Sequence, residues 1–206
     1  MTNGLGKTAK TLSDTQIRTL LRYVESETRF PERNRVIVLL SFKAGLRSKE
    51  IAMLTWAMVT DAEGTLTDAI SLQNAASKGK HGGRVIPIHR DLSDALAALY
   101  KHEQEKERTS PDAFVVTLKK GSTEAKTRAN SIQYLFNKDW FLELGFSGAS
   151  SHSGRRSFIT KAARKVSEVG GSLRDVQALA GHSSIAVTQR YVDTDPEAQR
   201  KLIDKL

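Results

Sequence analysis

Apolar residues recur at helical spacing along most of this chain, and the exception is the stretch from Trp56 to Ile88. Spacing of three to four residues is typical of helices that bury one face, whereas short β-prone pieces between Gly- and Asp-containing turns are typical of strands. The pieces that predict strands are Trp56 to Thr60, Ala69 to Leu72 and Arg84 to Ile88. The sequence therefore predicts a mainly α fold with a small three-stranded antiparallel β-sheet, in the α+β class.

Capping residues indicate where the predicted helices begin and end. Ser13 and Gln16 form a capping box that opens the first helix. Pro31 can begin the second helix and Gly45 is a natural C-cap for it. The other predicted helices are Ser48 to Leu54, Asp91 to Arg108, Arg128 to Leu144, His152 to Ser167, Ser172 to Ala180 with a capping box through Asp175, Ser184 to Val192, and a short one from Asp195-Pro196. Residues 1–10 are polar and predict a flexible tail, and residues 11–206 predict one domain.

The composition narrows the partners and the chemistry. Lys and Arg number 32 against 23 Asp and Glu, a formal net charge of +9, which suits a polyanionic partner, although a solvated basic surface accounts for it equally. There is no cysteine, which excludes disulfides, thiol nucleophiles and Cys-ligated zinc. No stretch approaches the roughly 20 apolar residues that span a bilayer, and the first ten residues lack the apolar core of a signal peptide. We therefore expect a cytoplasmic protein with no membrane partner.

Four local features carry candidate functional residues, and each is a weak signal when taken alone. In chain order they are Gly45-Leu46-Arg47-Ser48-Lys49-Glu50, Lys78 in a turn with three glycines, His152-Ser153-Gly154-Arg155, and Gly181-His182 followed by Tyr191 nine residues after the histidine. Taken singly, each has an ordinary structural explanation: a surface arginine or lysine, a solvated polar helix face, or a core tyrosine with a satisfied hydroxyl. Only their combination and order indicate a function.

The combination resembles the tyrosine recombinase, or phage integrase, family. The signature of that family is an arginine, a lysine, His-x-x-Arg, a His or Trp, and a C-terminal tyrosine. Here Gly-Leu-Arg-x-x-Glu-Ile matches its first arginine box, Ser-His-Ser-Gly-Arg-Arg-Ser-Phe its second, and Ala-Gly-His-Ser-Ser-Ile-Ala-Val-Thr-Gln-Arg-Tyr its third. The resemblance covers about residues 11–206 and implies the catalytic-domain fold of these enzymes.

By resemblance, the chain is expected to be a site-specific recombinase of mobile elements that cuts and rejoins DNA through a 3′-phosphotyrosine. Tyr191 would attack the scissile phosphorus and free a 5′-hydroxyl, while Arg47 and Arg155 would hold the non-bridging oxygens. The other implied catalytic residues are Lys78, which would protonate the leaving oxygen with Lys80 as its rival, His152 as a general acid or base, and His182 as a hydrogen-bond donor to the phosphate. The chemistry needs no metal or other cofactor.

The resemblance also implies partners. Double-stranded DNA is the substrate, and the residues expected to bind it are Lys80, Arg84, Arg156 and Arg190. The family works as a homotetramer on two DNA sites, and accessory DNA-bending proteins are possible further partners. When bound to DNA, the protein would be associated with the nucleoid. The segment Val192 to Leu206 resembles the tail that docks on a neighbouring subunit. Its apolar contacts would be Leu202, Ile203 and Leu206, which could equally cover the core of the chain itself.

Two departures from the family pattern stand out. Gly154 occupies a position where the family usually has leucine, and Arg156 occupies one where histidine is common. Neither position takes part in the reaction of the family. Most members carry a separate N-terminal DNA-clamping domain, whereas only about ten residues precede the first predicted helix here. Two alternatives stay open: a catalytic fragment, or a minimal recombinase that resembles the fimbrial-switch invertases.

Three other functions compete with this one. A non-catalytic DNA-binding regulator of the same fold is the first, because Ser172 to Tyr191 also fits a helix, glycine turn and helix. The second helix of that segment offers mostly small side chains to a DNA groove, which argues against it. A type IB topoisomerase uses a similar residue set, but the Gly-His box with a tyrosine nine residues on resembles the recombinase form. A metal-dependent nuclease is disfavoured because no Asp, Glu and His residues cluster at ligand spacing.

Overall fold

The computed structural model describes residues 9–73, 83–118, 127–192, 200 and 203–204. The chain divides into two compact units, Met1–Phe158 and Ile159–Leu206, and the boundary falls within a helix. No helix in the described part is long and apolar enough to cross a membrane.

The first unit is mainly helical, as the apolar spacing predicts. Its elements are α1 (Asp14–Ser26), α2 (Pro31–Lys43), α3 (Ser48–Ala52), β1 (Ala69–Leu72), β2 (Arg84–Pro87), α4 (Arg90–Gln104), α5 (Ala129–Tyr134), α6 (Phe141–Glu143) and the start of α7 (Ser153–Lys165). A π-helical segment, Leu135–Trp140, joins α5 to α6 without a break. The predicted helix from Arg128 to Leu144 is therefore one helical run with a widened middle.

Helix α2 is the centre of the first unit. Every residue from Val36 to Phe42 is buried, and α1, α3 and α4 all pack against this helix. A helix that is covered on several sides needs apolar residues around its circumference, and the run from Val36 to Phe42 supplies them. Because α2 is held in this way, the chain that leaves its C-terminal end has a fixed starting point.

The sheet has two strands in the described residues. β1 and β2 pair antiparallel, with Ala69 opposite Pro87 and Leu72 opposite Arg84. The predicted third strand, Trp56 to Thr60, is wrong: Trp56–Met58 is a 3-10 helix. The backbone N–H of Trp56 donates to the carbonyl of Ala113 at 3.0 Å, and the Trp56 ring packs edge-on against Tyr100 with ring centroids 4.8 Å apart. The tertiary packing of the Trp56 ring therefore outweighs the β-propensity of the segment and favours a 3-10 helix.

Two predicted caps lie one or two residues from their observed positions. The N-cap of α4 is His89, whose Nδ1 accepts from the backbone N–H of Asp91 at 3.1 Å. The N-cap of α3 is Arg47 rather than Ser48. By contrast, the capping box at the start of α1 is confirmed, with Ser13 as its N-cap.

The second unit contains the rest of α7, a 3-10 turn (Val166–Val169), α8 (Leu173–Ala180) and α9 (Ile185–Gln189). The predicted capping box of α8 is confirmed: the backbone N–H of Ser172 donates to Oδ2 of Asp175 at 2.7 Å. Gly181 has a φ of 61° and ends α8 in the left-handed region, and α8 packs against α9. The start of the helix predicted from Asp195-Pro196 lies outside the described residues. Of the residues that follow, Arg200 and Ile203 are helical, and the N–H of Asp204 donates to the carbonyl of Arg200 at 3.0 Å.

Candidate active site

A glycine turn after α2 positions Arg47. Gly45 has a φ of 64°, and a Cβ there would lie 2.4 Å from Cδ1 of Phe158. Both the backbone conformation and the close ring therefore require glycine. The turn delivers Arg47 to the first position before α3, with its side chain 30% exposed.

The carboxylate of Glu50 accepts hydrogen bonds from both the backbone and the side chain of Arg47. Its Oε2 accepts from the backbone N–H of Arg47 at 2.7 Å, and its Oε1 accepts from Nη1 of Arg47 at 2.9 Å. The carboxylate is buried and also receives both terminal nitrogens of Arg84, at 2.8 and 3.0 Å. Burial raises the pKa of Glu50, but the hydrogen bonds and positive charge of Arg84, with a smaller effect from Arg47, outweigh it and hold the pKa below its ordinary value. Glu50 is therefore a buried carboxylate that stays ionised.

Arg155 is tied to the same turn. Its side chain reaches from the start of α7 to the carbonyl of Gly45, to which Nη1 donates at 2.7 Å. The residue is 5% exposed. Gly45 is only two residues before Arg47, so Arg155 is hydrogen-bonded to the same turn that positions Arg47.

The glycine that departs from the family pattern has a packing role. A Cβ on Gly154 would lie 2.1 Å from Oγ and 2.8 Å from Cβ of Ser41, which is on α2. The first turn of α7 therefore lies directly against α2, where there is no room for a leucine. This contact brings the backbone of Arg155 close to the end of α2.

His152 lies in the segment that enters α7, and it is exposed. The preceding backbone is held by Asn137, whose Oδ1 accepts from the N–H of Ser151 at 2.7 Å. Asn137 is in the π-helical segment, a type of irregularity that is frequent at functional sites. The N–H of Ser150 donates to Oγ of Ser153 at 2.9 Å. These bonds fix the backbone from which His152 projects.

The second unit brings His182 and Tyr191 together. Their rings stack with centroids 5.6 Å apart and an interplanar angle of 23°. Nδ1 of His182 lies 3.0 Å from Oγ1 of Thr188, a buried residue on α9. The amide of Gln177 donates to the carbonyl of His182 at 3.0 Å. Both the ring and the backbone of His182 are therefore held, and Tyr191 lies half-buried at its face.

A separate cavity of about 330 Å³ lies near the other end of α2, where Phe30, Arg33 and His102 are among its lining residues. None of the predicted catalytic residues that the structure describes lines it. Because of this lining, we do not take the cavity as the candidate active site.

The chain matches the phage integrase family over residues 10–198. It belongs to that family. Among curated members, it is 27% identical over 200 residues to tyrosine recombinase XerA of Thermococcus kodakarensis, covering 95% of this chain and 62% of that protein. It is also 27% identical over 183 residues to tyrosine recombinase XerC of Syntrophus aciditrophicus, covering 87% of this chain and 55% of the other. This phage integrase family chain thus spans less than two thirds of the length of these relatives.

Solved structures support the fold. A crystal structure of XerA recombinase superposes with a TM-score of 0.68 at 20% identity, covering 95% of this chain and 64% of that one. XerH site-specific recombinase bound to its difH substrate gives a TM-score of 0.66 at 20% identity, covering 98% of this chain and 55% of that one. The predicted resemblance and the α+β fold class are confirmed, apart from the third strand.

The predicted site residues fall into three groups. Arg47, His152 and Arg155 are in the first unit, and His182 and Tyr191 are in the second. Lys78 and Lys80 lie outside the described residues. Of the residues predicted to bind DNA, Arg190 is exposed, Arg156 is half-buried and Arg84 is turned towards Glu50.

Sequence reasoning assigned no role to Glu50, Asn137 or Thr188. Glu50 stands inside the first arginine box, so the spacing of a carboxylate three residues after Arg47 could have indicated an anchor. Asn137 and Thr188 carry no comparable signal, because their partners are set by tertiary structure.

Proposed function

We propose that this chain is the catalytic domain of a site-specific DNA recombinase that breaks and rejoins strands through Tyr191. The observation that carries the proposal is that one turn positions two arginines. Arg47 follows the turn at Gly45, and Arg155 donates a hydrogen bond to the carbonyl of Gly45. A guanidinium is charged at any physiological pH and offers paired donors, which suits the oxygens of a phosphodiester. We also propose that residues 11–206 form the catalytic domain and residues 1–10 a tail.

The reaction we propose is a transesterification. The Tyr191 hydroxyl oxygen attacks the phosphorus, its proton passes to His152, and the bond from phosphorus to the 5′-oxygen breaks. Lys78 gives a proton to that oxygen, and the product is a 3′-phosphotyrosine with a free 5′-hydroxyl. Arg47 and Arg155 stabilise the charge on the non-bridging oxygens as it develops.

Rejoining is the same reaction in reverse. A 5′-hydroxyl from another strand attacks the phosphotyrosine, the bond from phosphorus to Tyr191 breaks, and the tyrosine recovers its proton. The number of phosphoester bonds is unchanged, so the exchange needs neither ATP nor a metal.

His182 would donate a hydrogen bond to the phosphate. Its Nδ1 is beside the Thr188 hydroxyl, so Nε2 is the nitrogen we assign to the phosphate. Stacking of the His182 ring on Tyr191 supports this assignment, because it keeps the donor beside the nucleophile. We further propose DNA contacts from Lys80, Arg156 and Arg190.

The substrate and assembly we propose follow the relatives. Xer proteins are named tyrosine recombinases, and XerH is described as bound to its difH substrate. We propose duplex DNA as the substrate and a homotetramer as the working form, assisted by DNA-bending proteins on the nucleoid in the cytoplasm. Ile203 is 68% exposed, which is consistent with a tail that docks on a neighbouring subunit.

The test is covalent capture of DNA. The protein is incubated with a pool of duplexes that are randomised around a nick just 3′ of the scissile phosphate, so that the short 5′-hydroxyl fragment diffuses away and rejoining fails. We expect an adduct with the wild type on a denaturing gel and none with Tyr191→Phe. Tyr134→Phe is the matched control, because Tyr134 is an exposed tyrosine of the first unit. Salt-sensitive DNA binding without an adduct would instead support the non-catalytic regulator, and relaxation of supercoiled plasmid without strand exchange would support the topoisomerase.

A further inference from the structure

Glu50 is shared by two arginines that bind it differently. Arg84, on β2, donates from Nη1 to Oε1 at 2.8 Å and from Nη2 to Oε2 at 3.0 Å. Arg47 uses one terminal nitrogen, Nη1, on Oε1 at 2.9 Å. Arg84 therefore makes the two-pronged contact with the carboxylate, and Arg47 makes a single side-chain contact.

The two arginines also differ in how far their side chains are buried. The side chain of Glu50 is 1% exposed and that of Arg84 is 10% exposed, whereas that of Arg47 is 30% exposed. Nε of Arg84 is buried and has no hydrogen-bond partner in the part of the chain that the structure describes. A guanidinium held in this way faces the protein interior. Arg84 is therefore a poor candidate for the DNA contact expected from the sequence.

The charges explain why a second arginine is useful. Glu50 with Arg47 alone would be a neutral pair, and a carboxylate open on one side would draw the Arg47 guanidinium into a two-pronged contact. With Arg84 on the same carboxylate, the three side chains carry a net charge of one positive unit. Of the three side chains, Arg47 is the most exposed, so a phosphate arriving from solvent would meet this net positive charge at Arg47.

We propose that Arg84 is a positioning residue that neutralises Glu50 and so leaves the charge of Arg47 uncompensated and available to an incoming phosphate. The inference rests on the proposed function, because it assigns Arg47 to the phosphate. The low pKa of Glu50 agrees with it, since Arg84 contributes more than Arg47 to keeping the carboxylate ionised against its burial.

The first test is the rate of adduct formation on the nicked duplexes. Arg84→Met removes the charge and keeps much of the apolar stem. We expect it to slow cleavage about 10- to 100-fold, less than the roughly 100- to 1000-fold loss when a donor in direct contact is removed, because Arg84 acts through Arg47. Arg84→Lys keeps the charge and should keep most of the rate. The decisive variant is the double change Arg84→Met with Glu50→Gln, which removes both buried charges and should recover much of the loss.

That recovery separates an electrostatic role from simple packing. If Arg84 only fills space, the two substitutions add, and the double variant is at least as slow as Arg84→Met. Such a result would overturn the proposal, as would an Arg84→Met variant with the wild-type rate. Arg35→Met is the matched control, because Arg35 also pairs with a glutamate, Glu25, in the first unit. It should leave the rate unchanged.

The second test does not depend on cleavage. Duplex binding is measured against salt concentration with Tyr191→Phe as the background, and each lost phosphate contact lowers the salt slope by about one. We expect Arg84→Met to lower the slope as Arg47→Met does, and the double variant to restore it. Arg84→Lys serves if Arg84→Met does not fold, as judged by circular dichroism; it should keep the full slope, and a lowered slope would contradict the neutralising role.

The two tests also separate the inference from the proposed function. If the wild type binds DNA without forming an adduct, and the salt slopes of the variants change as expected, the proposed strand cleavage is wrong and the proposed role of Arg84 is supported. If the wild type cleaves and the slope of Arg84→Met equals that of the wild type, the role of Arg84 is wrong and cleavage stands.

Discussion

Substitution of Gly154 by alanine should destabilise the protein, although the same change in most helices is stabilising. Alanine is favoured over glycine by about 0.5–1 kcal/mol inside a helix, so the change would stabilise α7 if its surface were open. The structure predicts the opposite sign, because a Cβ at this position meets Ser41.

The distances set the magnitude. The new Cβ would lie 2.1 Å from Oγ, 2.8 Å from Cβ of Ser41 and 3.0 Å from Cδ2 of Phe42, where ordinary contact begins at 3.4 Å. The serine hydroxyl can rotate away, but the Ser41 Cβ moves only with the backbone of α2. Inserting a methyl group into a packed core typically costs about 1–3 kcal/mol. Because the Cβ of Ser41 at 2.8 Å cannot rotate away, we take the upper part of that range, about 2–3 kcal/mol. After the gain in helix propensity, we expect Gly154→Ala to lower the free energy of unfolding by about 1–2 kcal/mol.

Guanidinium denaturation followed by circular dichroism measures this change. Ser41→Ala removes the closest atom and should reduce the cost of Gly154→Ala, with a coupling of about 0.5 kcal/mol or more between the two sites. Ser41→Ala alone is the control. A Gly154→Ala variant as stable as the wild type, or more stable, would refute the close approach of α7 to α2.

Three further outcomes are expected. The pKa of Glu50 is lowered in the folded protein, so its pairing stabilises the fold at pH values above the unfolded-state pKa of about 4.3, and this stabilisation is lost as the pH falls through the folded-state pKa. Glu50→Gln should therefore lower the free energy of unfolding at pH 7, and this difference from the wild type should shrink in acid. A difference that grows in acid would contradict the pairing. Thr188→Val removes the hydroxyl beside His182 and should slow adduct formation roughly five- to tenfold, equivalent to about 1 kcal/mol, whereas an unchanged rate would leave the contact without a role. Ser172→Ala breaks the capping box of α8 and should lower the protection of its amides in hydrogen exchange by about 1 kcal/mol, and undiminished protection would count against the cap.

The features that follow from sequence are those set by near neighbours. Ser13 with Gln16, and Ser172 with Asp175, cap their helices through contacts three residues apart, which spacing rules capture. The order of the residues predicted to be catalytic can also be read directly from the sequence. The family and the helical architecture could therefore be predicted.

Features that depend on distant parts of the chain could not be predicted. The segment at Trp56 has strand-like composition, but its bond to Ala113 and its packing on Tyr100 make it a 3-10 turn. The family resemblance places Arg84 among the residues expected to bind DNA, and no spacing rule indicates that its guanidinium meets Glu50. Such pairings arise from the packing of whole elements, which sequence periodicity does not specify.

Identification of the residue that carries DNA tests the central claim most directly. The adduct from the nicked duplexes is digested with trypsin and nuclease, and the modified peptide is sequenced by mass spectrometry. We expect a nucleotide joined through its 3′-phosphate to Tyr191, with a free 5′-hydroxyl on the released fragment. A linkage to another residue, or through the 5′ end, would contradict this expectation.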